Sequence, residues 1–422
     1  MTFQVIETFS GIGAQAKALQ RIENNNPNFK YNIAATVEWE IGAIYAYDII
    51  HNGKQDLSKY DNYTKDDLLS LLKKNSISSD GKTPLSESSL KRMNTLQLKA
   101  ILHSIENNNN FVDIKAVTAD MLPEADLLTY SFPCQDLSIS SYWHKNFSGI
   151  TKGSNNRSSL LWEIERILQE YEKYGKKKPR YLLMENVTAI QSTLHNDNFL
   201  LWQDELEGLG YKSFPVDLNA RNFGVPQNRR RTYMLSILCE DHLNEIISFM
   251  SHSNLYPKYR YPSLEGFLCL DYENPTYRME AEASTPNKTP SRDTIHAGSI
   301  KLAIGDEVTE KIARTITTKQ DRYPNAGIVI HNLDLGSKKS LYRNLTPRET
   351  FLLMGFDESD FNLLVENNIS ISKNRKILSD SKLLKLAGNS IVVNVLEHIF
   401  KNIIQIENTI FKNSETKSVK IE

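Results

Sequence analysis

A cysteine stands directly after a predicted buried strand and a rigid turn. Residues 125–130 form an apolar run that predicts the strand, and Phe132-Pro133 ends it because proline has no N–H to donate to a sheet. Cys134 is the next residue. In a doubly wound sheet, ligands bind just beyond the carboxyl ends of the strands. The sequence therefore delivers a thiol to the place where chemistry would occur, and we predict that Cys134 is a nucleophile.

A carboxyl group ends another predicted strand. Residues 181–184 predict a buried strand, and Glu185 follows them directly. Because parallel strands end at one edge of a sheet, we expect Glu185 near Cys134. A thiol and a carboxyl group in this arrangement suggest a nucleophile and a proton donor.

A glycine pattern follows the first predicted strand, residues 4–9. Gly11, Gly13 and Ala16 are spaced as in loops whose backbone closely approaches a nucleotide cofactor. Taken alone, the pattern also fits a tight turn from a strand into a helix. It therefore predicts a nucleotide site only together with the acidic residues downstream.

Two acidic residues end further predicted strands. Glu38 follows a strand predicted over residues 32–37, at about the distance from the glycines that is expected of a carboxylate binding ribose hydroxyls. Asp120 follows a strand predicted over residues 112–117. Both are expected to face the crevice that holds Cys134.

The predicted strands alternate with helices, which indicates an α/β fold. Seven strands linked mostly by helices imply a doubly wound, mostly parallel sheet with helices on both faces. We predict a catalytic and cofactor-binding domain, a smaller irregular or β domain, and a C-terminal helix that returns to the first domain; their ranges are 1–244, 245–375 and 376–422. A polar helical insertion at about 51–110 is expected to be a surface elaboration.

Composition limits the classes of protein that the chain can represent. It has 422 residues, 40% hydrophobic and 24% charged, as in ordinary globular proteins. We expect no signal peptide and no apolar run long enough to cross a membrane. The three cysteines, too few and too scattered for a disulfide framework or a thiolate metal site, favour a cytoplasmic protein without a structural metal. With a formal net charge of −1, any nucleic acid must be held by local basic clusters, and we expect a monomer.

Six motifs, taken together and in order, resemble the cytosine carbon-5 DNA methyltransferases of bacterial restriction–modification systems. The implied fold is the S-adenosylmethionine-dependent methyltransferase fold with a target-recognition domain. The motifs are Phe9-Ser10-Gly11-Ile12-Gly13, Phe132-Pro133-Cys134-Gln135, Glu185-Asn186-Val187, the run from Asn222 to Arg231, Arg343-x-x-Thr346-Pro347-x-Glu349, and the run from Gly388 to Leu396.

The resemblance implies a catalytic role for four residues. Cys134 would attack carbon-6 of cytosine, which makes carbon-5 able to accept a methyl group from S-adenosylmethionine. Glu185 would bind ring nitrogen 3 and share its proton. Arg229 and Arg231 would anchor the carbonyl oxygen of the base and hold Glu185.

The resemblance also implies a set of cofactor contacts. The adenine would lie against Phe9, Trp39 and Met121, and Asp120 would accept a hydrogen bond from its amine. Glu38 would bind the ribose. The methionine end would be contacted by Gly11, Gly13 and Asn389.

Duplex DNA is the implied partner, with its target base flipped out of the stack. The long polar segment at residues 136–158 is expected to close over the DNA. The expected DNA contacts are Gln135, Ser140, Arg157, Gln227, Thr315, Thr317, Lys319 and Arg322. Lys319, Gln320 and Arg322 are chemically suited to base edges, but equally to phosphates.

Other interpretations remain open from the sequence alone. A related enzyme that methylates cytosine in transfer RNA has a smaller second domain than residues 245–375. A non-catalytic DNA-binding module would not need Cys134 and Glu185. A nicotinamide-dependent oxidoreductase would explain the glycines but not Phe132-Pro133-Cys134-Gln135. The DNA target sequence and the presence of a partner restriction endonuclease do not follow from the sequence.

Overall fold

A computed structural model of the chain describes residues 2–134, 137, 149–153, 157–239, 242–252, 263–373 and 375–412. Its strands are β1 (Phe3–Thr8), β2 (Tyr31–Val37), β3 (Leu127–Tyr130), β4 (Tyr181–Val187), β5 (Tyr211–Asn219), β6 (Gln227–Asn228), β7 (Arg230–Leu238), β8 (Lys301–Ile304), β9 (Glu307–Val308), β10 (Ala313–Arg314), β11 (Ile328–Ile330), β12 (Tyr342–Asn344), β13 (Ser370–Ser372) and β14 (Arg375–Lys376).

The described α-helices are α1 (Ala14–Asn25), α2 (Ile41–Asn52), α3 (Lys65–Leu72), α4 (Glu87–Lys91), α5 (Thr95–Asn107), α6 (Leu161–Lys173), α7 (Asn196–Gly208), α8 (Leu243–His252), α9 (Pro275–Ala283), α10 (Pro290–Ala297), α11 (Pro347–Leu352), α12 (Glu358–Asn367), α13 (Asp380–Asn389) and α14 (Val393–Ile406). A π-helical turn, Glu407–Phe411, continues α14.

The central sheet has the strand order β2-β1-β3-β4-β7-β5. Strands β1 to β4 pair in parallel, whereas β7 pairs antiparallel with both β4 and β5. Alternate residues of these strands enter two hydrophobic cores, one on each face; Val5 lies in one and Ile6 in the other. The prediction of a doubly wound, mostly parallel α/β sheet is confirmed.

The described part of this sheet has six strands rather than the seven that we predicted. Residues 112–117 form turns instead of a strand. Asn109 and Val112 have φ angles of 43° and 62°, in the left-handed region, so the chain leaves the extended conformation on both sides of Asn110. Only one bridge, from Thr36 to Asn110, joins this segment to β2.

The polar insertion folds as three helices, α3 to α5, around a small core of its own. Asn94 begins α5 with a capping box to Gln97, which separates α5 from α4. The core of the insertion includes Leu68, Leu72, Leu90, Leu98 and Ile101. The insertion is attached to α2 through the fully buried carboxylate of Asp48, which accepts hydrogen bonds from Asn52, Gln55, Ser104, Asn107 and Asn108.

A second sheet, in the order β12-β11-β8-β9, lies in the later part of the chain. All four of its strands lie within the range 245–375, for which we predicted an irregular or β domain. After it, α13 and α14 contribute buried side chains to the same core as β1. Contrary to our expectation, Asp380–Phe411 is long and apolar enough to cross a membrane by length and composition. However, 67% of its apolar window is buried inside the protein, as in a core helix.

A fully buried ion pair fixes the start of α11 to β12. The guanidinium of Arg343 donates to both oxygens of Glu349, at 2.7 and 2.8 Å, and neither side chain is exposed. The Glu349 carboxylate also accepts from the backbone amides of Cys269 and Thr346. A bidentate pair with these further hydrogen bonds offsets much of the cost of burying both charges.

We expect Glu349→Ala to lower the free energy of unfolding by about 3–5 kcal/mol, because it leaves the Arg343 guanidinium buried without a partner. Urea denaturation of the purified protein measures this change. Glu282→Ala is the control, since its pair with Arg278 is exposed and should contribute less than about 1 kcal/mol. Equal small losses in both variants would contradict the account.

Candidate active site

A cavity of about 430 Å³ lies at the carboxyl edge of the parallel strands. The register places Val37, Thr8, Tyr130 and Met184 in one row across β2, β1, β3 and β4. The residues that follow this row therefore meet at one edge of the sheet. The cavity is lined by ten of the predicted site residues: Phe9, Gly11, Glu38, Trp39, Cys134, Arg157, Glu185, Arg229, Arg231 and Asn389.

The glycine turn after β1 is built from left-handed residues. Phe9, Gly11 and Gly13 have φ angles of 54°, 57° and 76°. A Cβ on Gly13 would lie 2.1 Å from Nε2 of His51, so no larger residue fits there. Gly13 itself is not in the cavity wall. Its role is to let the chain turn tightly into α1 behind the wall.

The carboxylate of Glu38 is oriented by backbone amides. Oε2 accepts from the N–H of Gly11 at 3.1 Å, and Oε1 accepts from Trp39 and Glu40 at 2.9 and 2.8 Å. Burial raises the pKa of Glu38 to about 7, and these hydrogen bonds oppose the shift. A carboxylate has about four acceptor positions, so the fixed group keeps acceptor capacity for a ligand hydroxyl.

Asp120 and Met121 do not reach the cavity, which corrects our prediction for the adenine site. Asp120 is exposed, accepts a hydrogen bond from Thr118, and is outside the cavity wall, and Met121 is 47% exposed. Asp113 and Ile114 line the cavity instead. The error follows from treating residues 112–117 as a strand. Because these residues form turns, Asp113 and Ile114 lie at the cavity, whereas Asp120 lies outside its wall.

The turn that carries Cys134 is held by side chains on both sides. Ser158 donates to the carbonyl of Pro133 at 2.7 Å, and Asn186 donates to the carbonyl of Phe132 at 3.1 Å. Cys134 is half-buried. Burial raises the pKa of its thiol, while the positive charge of Arg231 lowers it and the carboxylate of Glu185 raises it. The surroundings of Cys134 therefore favour the neutral thiol over the thiolate.

Glu185 lies in β4 beside Arg231 of β7. Nε of Arg231 is 3.4 Å from Oε1 of Glu185, and Glu185 is 9% exposed. Burial raises the pKa of Glu185, and the charges of Arg231 and Arg229 oppose the shift. A carboxyl group with a raised pKa can hold or share a proton at a ligand atom.

Arg229 lines the cavity but makes its hydrogen bonds to backbone carbonyls, not to Glu185. One terminal nitrogen donates to Ile316 at 3.0 Å, and the other donates to Gly388 and Ser390 at 3.1 and 2.8 Å. Burial, with the nearby charge of Arg231, lowers the pKa of Arg229 to about 9. We predicted that Arg229 and Arg231 hold Glu185, and among these hydrogen bonds of Arg229 none is to Glu185. Arg229 joins the segment at 315–317 to the end of α13.

Gln227 is fully buried, which corrects the prediction that it contacts DNA. Its amide donates to the carbonyl of Leu353 at 2.6 Å and accepts from the N–H of Ile316 at 3.0 Å. Gln320 is also fully buried and cannot meet a base edge in this arrangement. Sequence alone does not separate a structural glutamine from an exposed one.

The remaining predicted DNA contacts have mixed positions. Thr315 donates to the carbonyl of Asn228 at 2.7 Å, and Lys319 and Arg322 are exposed. A Cβ on Gly388 would lie 2.6 Å from the backbone of Thr317 and Thr318, so the end of α13 packs directly on this segment. Gln135 and Ser140 lie outside the described residues.

The cavity also contains residues that we did not predict. Asp80, Gly81, Lys82 and Pro84 of the insertion line it, as does Lys385 of α13. The polar composition of the insertion gave no signal for this position. Glu40, the N-cap residue of α2, forms a β-bridge to Ser78 and so marks where the insertion meets the sheet domain.

Comparison with known proteins places the chain in a family. The family model for C-5 cytosine-specific DNA methylases matches residues 85–405. The orphan methyltransferase M.SssI of Spiroplasma monobiae is 32% identical over 430 residues, which cover 95% of this chain and 97% of the relative. The type II methyltransferase M2.ScrFI of Lactococcus lactis subsp. cremoris is 32% identical over 408 residues, which cover 95% of this chain and 98% of the relative.

Solved structures share the fold at much lower identity. The crystal structure of the S. pombe Dnmt2 methyltransferase gives a TM-score of 0.58 at 17% identity, and covers 97% of this chain and 100% of its own. This likeness concerns the fold, whereas the family model and the two sequence relatives identify the class of enzyme. The chain therefore belongs to the C-5 cytosine-specific DNA methylase family, as a DNA cytosine-5 methyltransferase of the restriction–modification type.

Proposed function

We propose that this enzyme transfers a methyl group from S-adenosylmethionine to carbon-5 of a cytosine flipped out of a specific duplex DNA sequence, through a covalent adduct with Cys134. The observation that carries the proposal is that Cys134, Glu185 and the glycine turn line one cavity. A base and a cofactor bound in that cavity would be in contact with each other.

The donor set of the cavity fits an adenosyl amino acid. Glu38 offers a fixed acceptor for ribose hydroxyls, and Asp113 offers a carboxylate for an exocyclic amine. Phe9 and Trp39 provide ring faces at the same wall. At the methionine end, Gly11 would leave space because it has no side chain, and Asn389 would offer a polar side chain. When bound, S-adenosylmethionine supplies an electrophilic methyl group.

The chemistry of cytosine assigns roles to the protein groups. The Cys134 thiol must lose its proton before the sulfur forms a bond to carbon-6. Electron density would then move towards carbon-5, where a bond to the methyl group would form as the bond between that group and the cofactor sulfur breaks and S-adenosylhomocysteine leaves. Glu185 keeps a proton at ring nitrogen 3 and so limits the build-up of negative charge on the base. Transfer of the carbon-5 proton to a solvent base would expel the sulfur from carbon-6 as a thiolate and restore the aromatic ring, and the thiolate would then regain a proton.

The charges of Arg231 and Glu185 indicate when the thiol of Cys134 would ionise. Burial disfavours the thiolate, while Arg231 favours it and Glu185 opposes it. Protonation of Glu185 on binding the base would leave the charge of Arg231 to act on the sulfur. Arg231 is therefore the residue that we assign both to the base carbonyl and to the activation of Cys134.

The DNA would be held by exposed groups around the cavity. Arg157 lines the cavity, and Lys319 and Arg322 are exposed cations suited to phosphates or base edges. Thr315 and Thr317 lie on the segment that Arg229 and Gly388 fix in place. We propose that residues 1–244 form the catalytic domain, that residues 245–375 form the target-recognition domain, and that residues 376–422 form the helix that returns to the catalytic domain.

The biological setting is part of the same proposal. We expect a cytoplasmic monomer that protects DNA against a restriction endonuclease acting on the same site. One of the two relatives is named as a type II enzyme and the other as an orphan, so the presence of a partner nuclease needs its own test. Bisulfite sequencing of DNA treated with the purified enzyme would give the recognised sequence.

We expect Cys134→Ser to reduce methyl transfer to duplex DNA by roughly a thousandfold or more, as when an enzyme loses its covalent nucleophile. Incorporation of labelled methyl groups from S-adenosylmethionine measures the rate, with transfer RNA as the alternative substrate. Cys239→Ser is the control, since Cys239 lies outside the cavity wall. Ordinary turnover by Cys134→Ser, or transfer only to transfer RNA, would contradict the proposal.

The raised pKa of Cys134 predicts slow alkylation of the free enzyme. The thiolate is the reactive form, so the rate of reaction with iodoacetamide should rise with pH and have its midpoint above about 8.5. Arg231→Gln should move the midpoint to higher pH, and Glu185→Gln should move it to lower pH. Mass spectrometry of the peptide that contains Cys134 measures the rate. A midpoint below the ordinary value, or shifts of the same sign, would show that the charge balance is wrong.

A further inference from the structure

Part of the cavity wall comes from the polar insertion, from the segment between α3 and α4. Asp80, Gly81, Lys82 and Pro84 line the cavity that also contains Glu38 and Trp39. The family model begins to match at residue 85, so this segment lies outside the matched range. We refer to residues 78–84 as the insertion loop.

The insertion loop is attached to the end of β2. The N–H of Ser78 donates to the carbonyl of Trp39 at 2.7 Å, and the N–H of Ile41 donates to the carbonyl of Ser78 at 2.8 Å. These two bonds extend the pairing of β2 beyond its last residue. They place the loop directly beside Glu38, the carboxylate that we assign to the ribose.

The side chain of Ser78 organises the loop from behind. Ser78 is fully buried and is not in the cavity wall. Its hydroxyl donates to the carbonyl of Thr83 at 2.6 Å and accepts from the N–H of Gly81 at 3.0 Å. The carboxylate of Asp80 accepts from the amides of Lys82 and Thr83 at 2.8 and 3.2 Å. The loop therefore has a fixed turn shape.

Helix α13 holds the other side of the loop. Nζ of Lys385 donates to the carbonyl of Asp80 at 2.7 Å. Lys385 also lines the cavity, one helical turn before Asn389. The insertion loop thus spans the gap between the end of β2 and the helix end that we assign to the methionine part of the cofactor.

We propose that the insertion loop is a cofactor-binding wall that covers the nucleoside half of S-adenosylmethionine, and that this is the function of the insertion. The inference rests on the proposed function. The nucleoside half is favoured over the amino-acid half because the loop pairs with the backbone of Trp39, a cavity-lining residue directly after Glu38, the carboxylate that we assign to the ribose. The insertion then contributes to cofactor affinity rather than to the chemical step.

Calorimetry with S-adenosylhomocysteine and with 5′-methylthioadenosine tests the proposal. We expect Ser78→Ala to weaken both ligands by the same factor, about threefold to tenfold, because one hydroxyl that shapes the wall is lost. The matched control is Ser86→Ala, which removes another serine hydroxyl of the insertion, the N-cap of α4, outside the cavity wall. It should bind both ligands as the wild type does.

The results separate the role of the insertion loop from the proposed function of the enzyme. Wild-type affinity in Ser78→Ala would overturn the inference and leave the proposed function intact, as would weakening confined to S-adenosylhomocysteine. Absence of binding by the wild-type protein would overturn the proposed function itself. If Ser78→Ala does not fold, hydrogen exchange of the wild-type chain provides the test. Binding of S-adenosylhomocysteine should then protect the amides of Gly81, Lys82 and Thr83 but not those of α4, and unchanged exchange in the loop would overturn the inference.

Discussion

The common register of four parallel strands is the constraint on which the site depends. Because Val37, Thr8, Tyr130 and Met184 lie in one row, the next residue of each chain segment emerges at the same edge. The functional groups then meet without long connections. They are Glu38 after β2, the glycine turn after β1, the turn of Cys134 after β3, and Glu185 in β4. A shift of one residue in any of these strands would turn its functional group to the other side of the sheet or withdraw it from the cavity.

Buried charge links this edge to the rest of the molecule. Arg229 donates to the carbonyl of Ile316 and to that of Ser390, directly after α13, and Gln227 accepts from the N–H of Ile316. The terminal nitrogens of Arg229 and the amide of Gln227 have partners within the protein, so we assign both residues a positioning role. Arg231, two residues further along in β7, places its charge beside Glu185. Neighbouring polar residues thus divide into positioning and reacting groups according to what satisfies their hydrogen bonds.

Sequence reasoning located most of the site because its residues follow strand ends, and strand ends can be recognised from apolar runs and prolines. It failed at the adenine contact, since two left-handed residues, Asn109 and Val112, interrupt an otherwise strand-like pattern. It failed at Gln227, and it did not predict the backbone partners of Arg229, because the burial of a polar side chain depends on distant partners such as Leu353 and Ile316. Sequence reasoning also missed the insertion loop, because polar composition does not reveal that the backbone of Ser78 pairs with that of Trp39.

The central claim is that Cys134 and the methyl donor act on one base in one cavity. The direct measurement is mass spectrometry of the enzyme after incubation with S-adenosylmethionine and a duplex that carries 5-fluorocytosine at the target site. Fluorine cannot leave carbon-5 as a proton does, so the adduct should persist. The account predicts a methylated fluorocytosine linked to the peptide that contains Cys134. A linkage at Cys239 or Cys269, or no linkage although the duplex is bound, would contradict it.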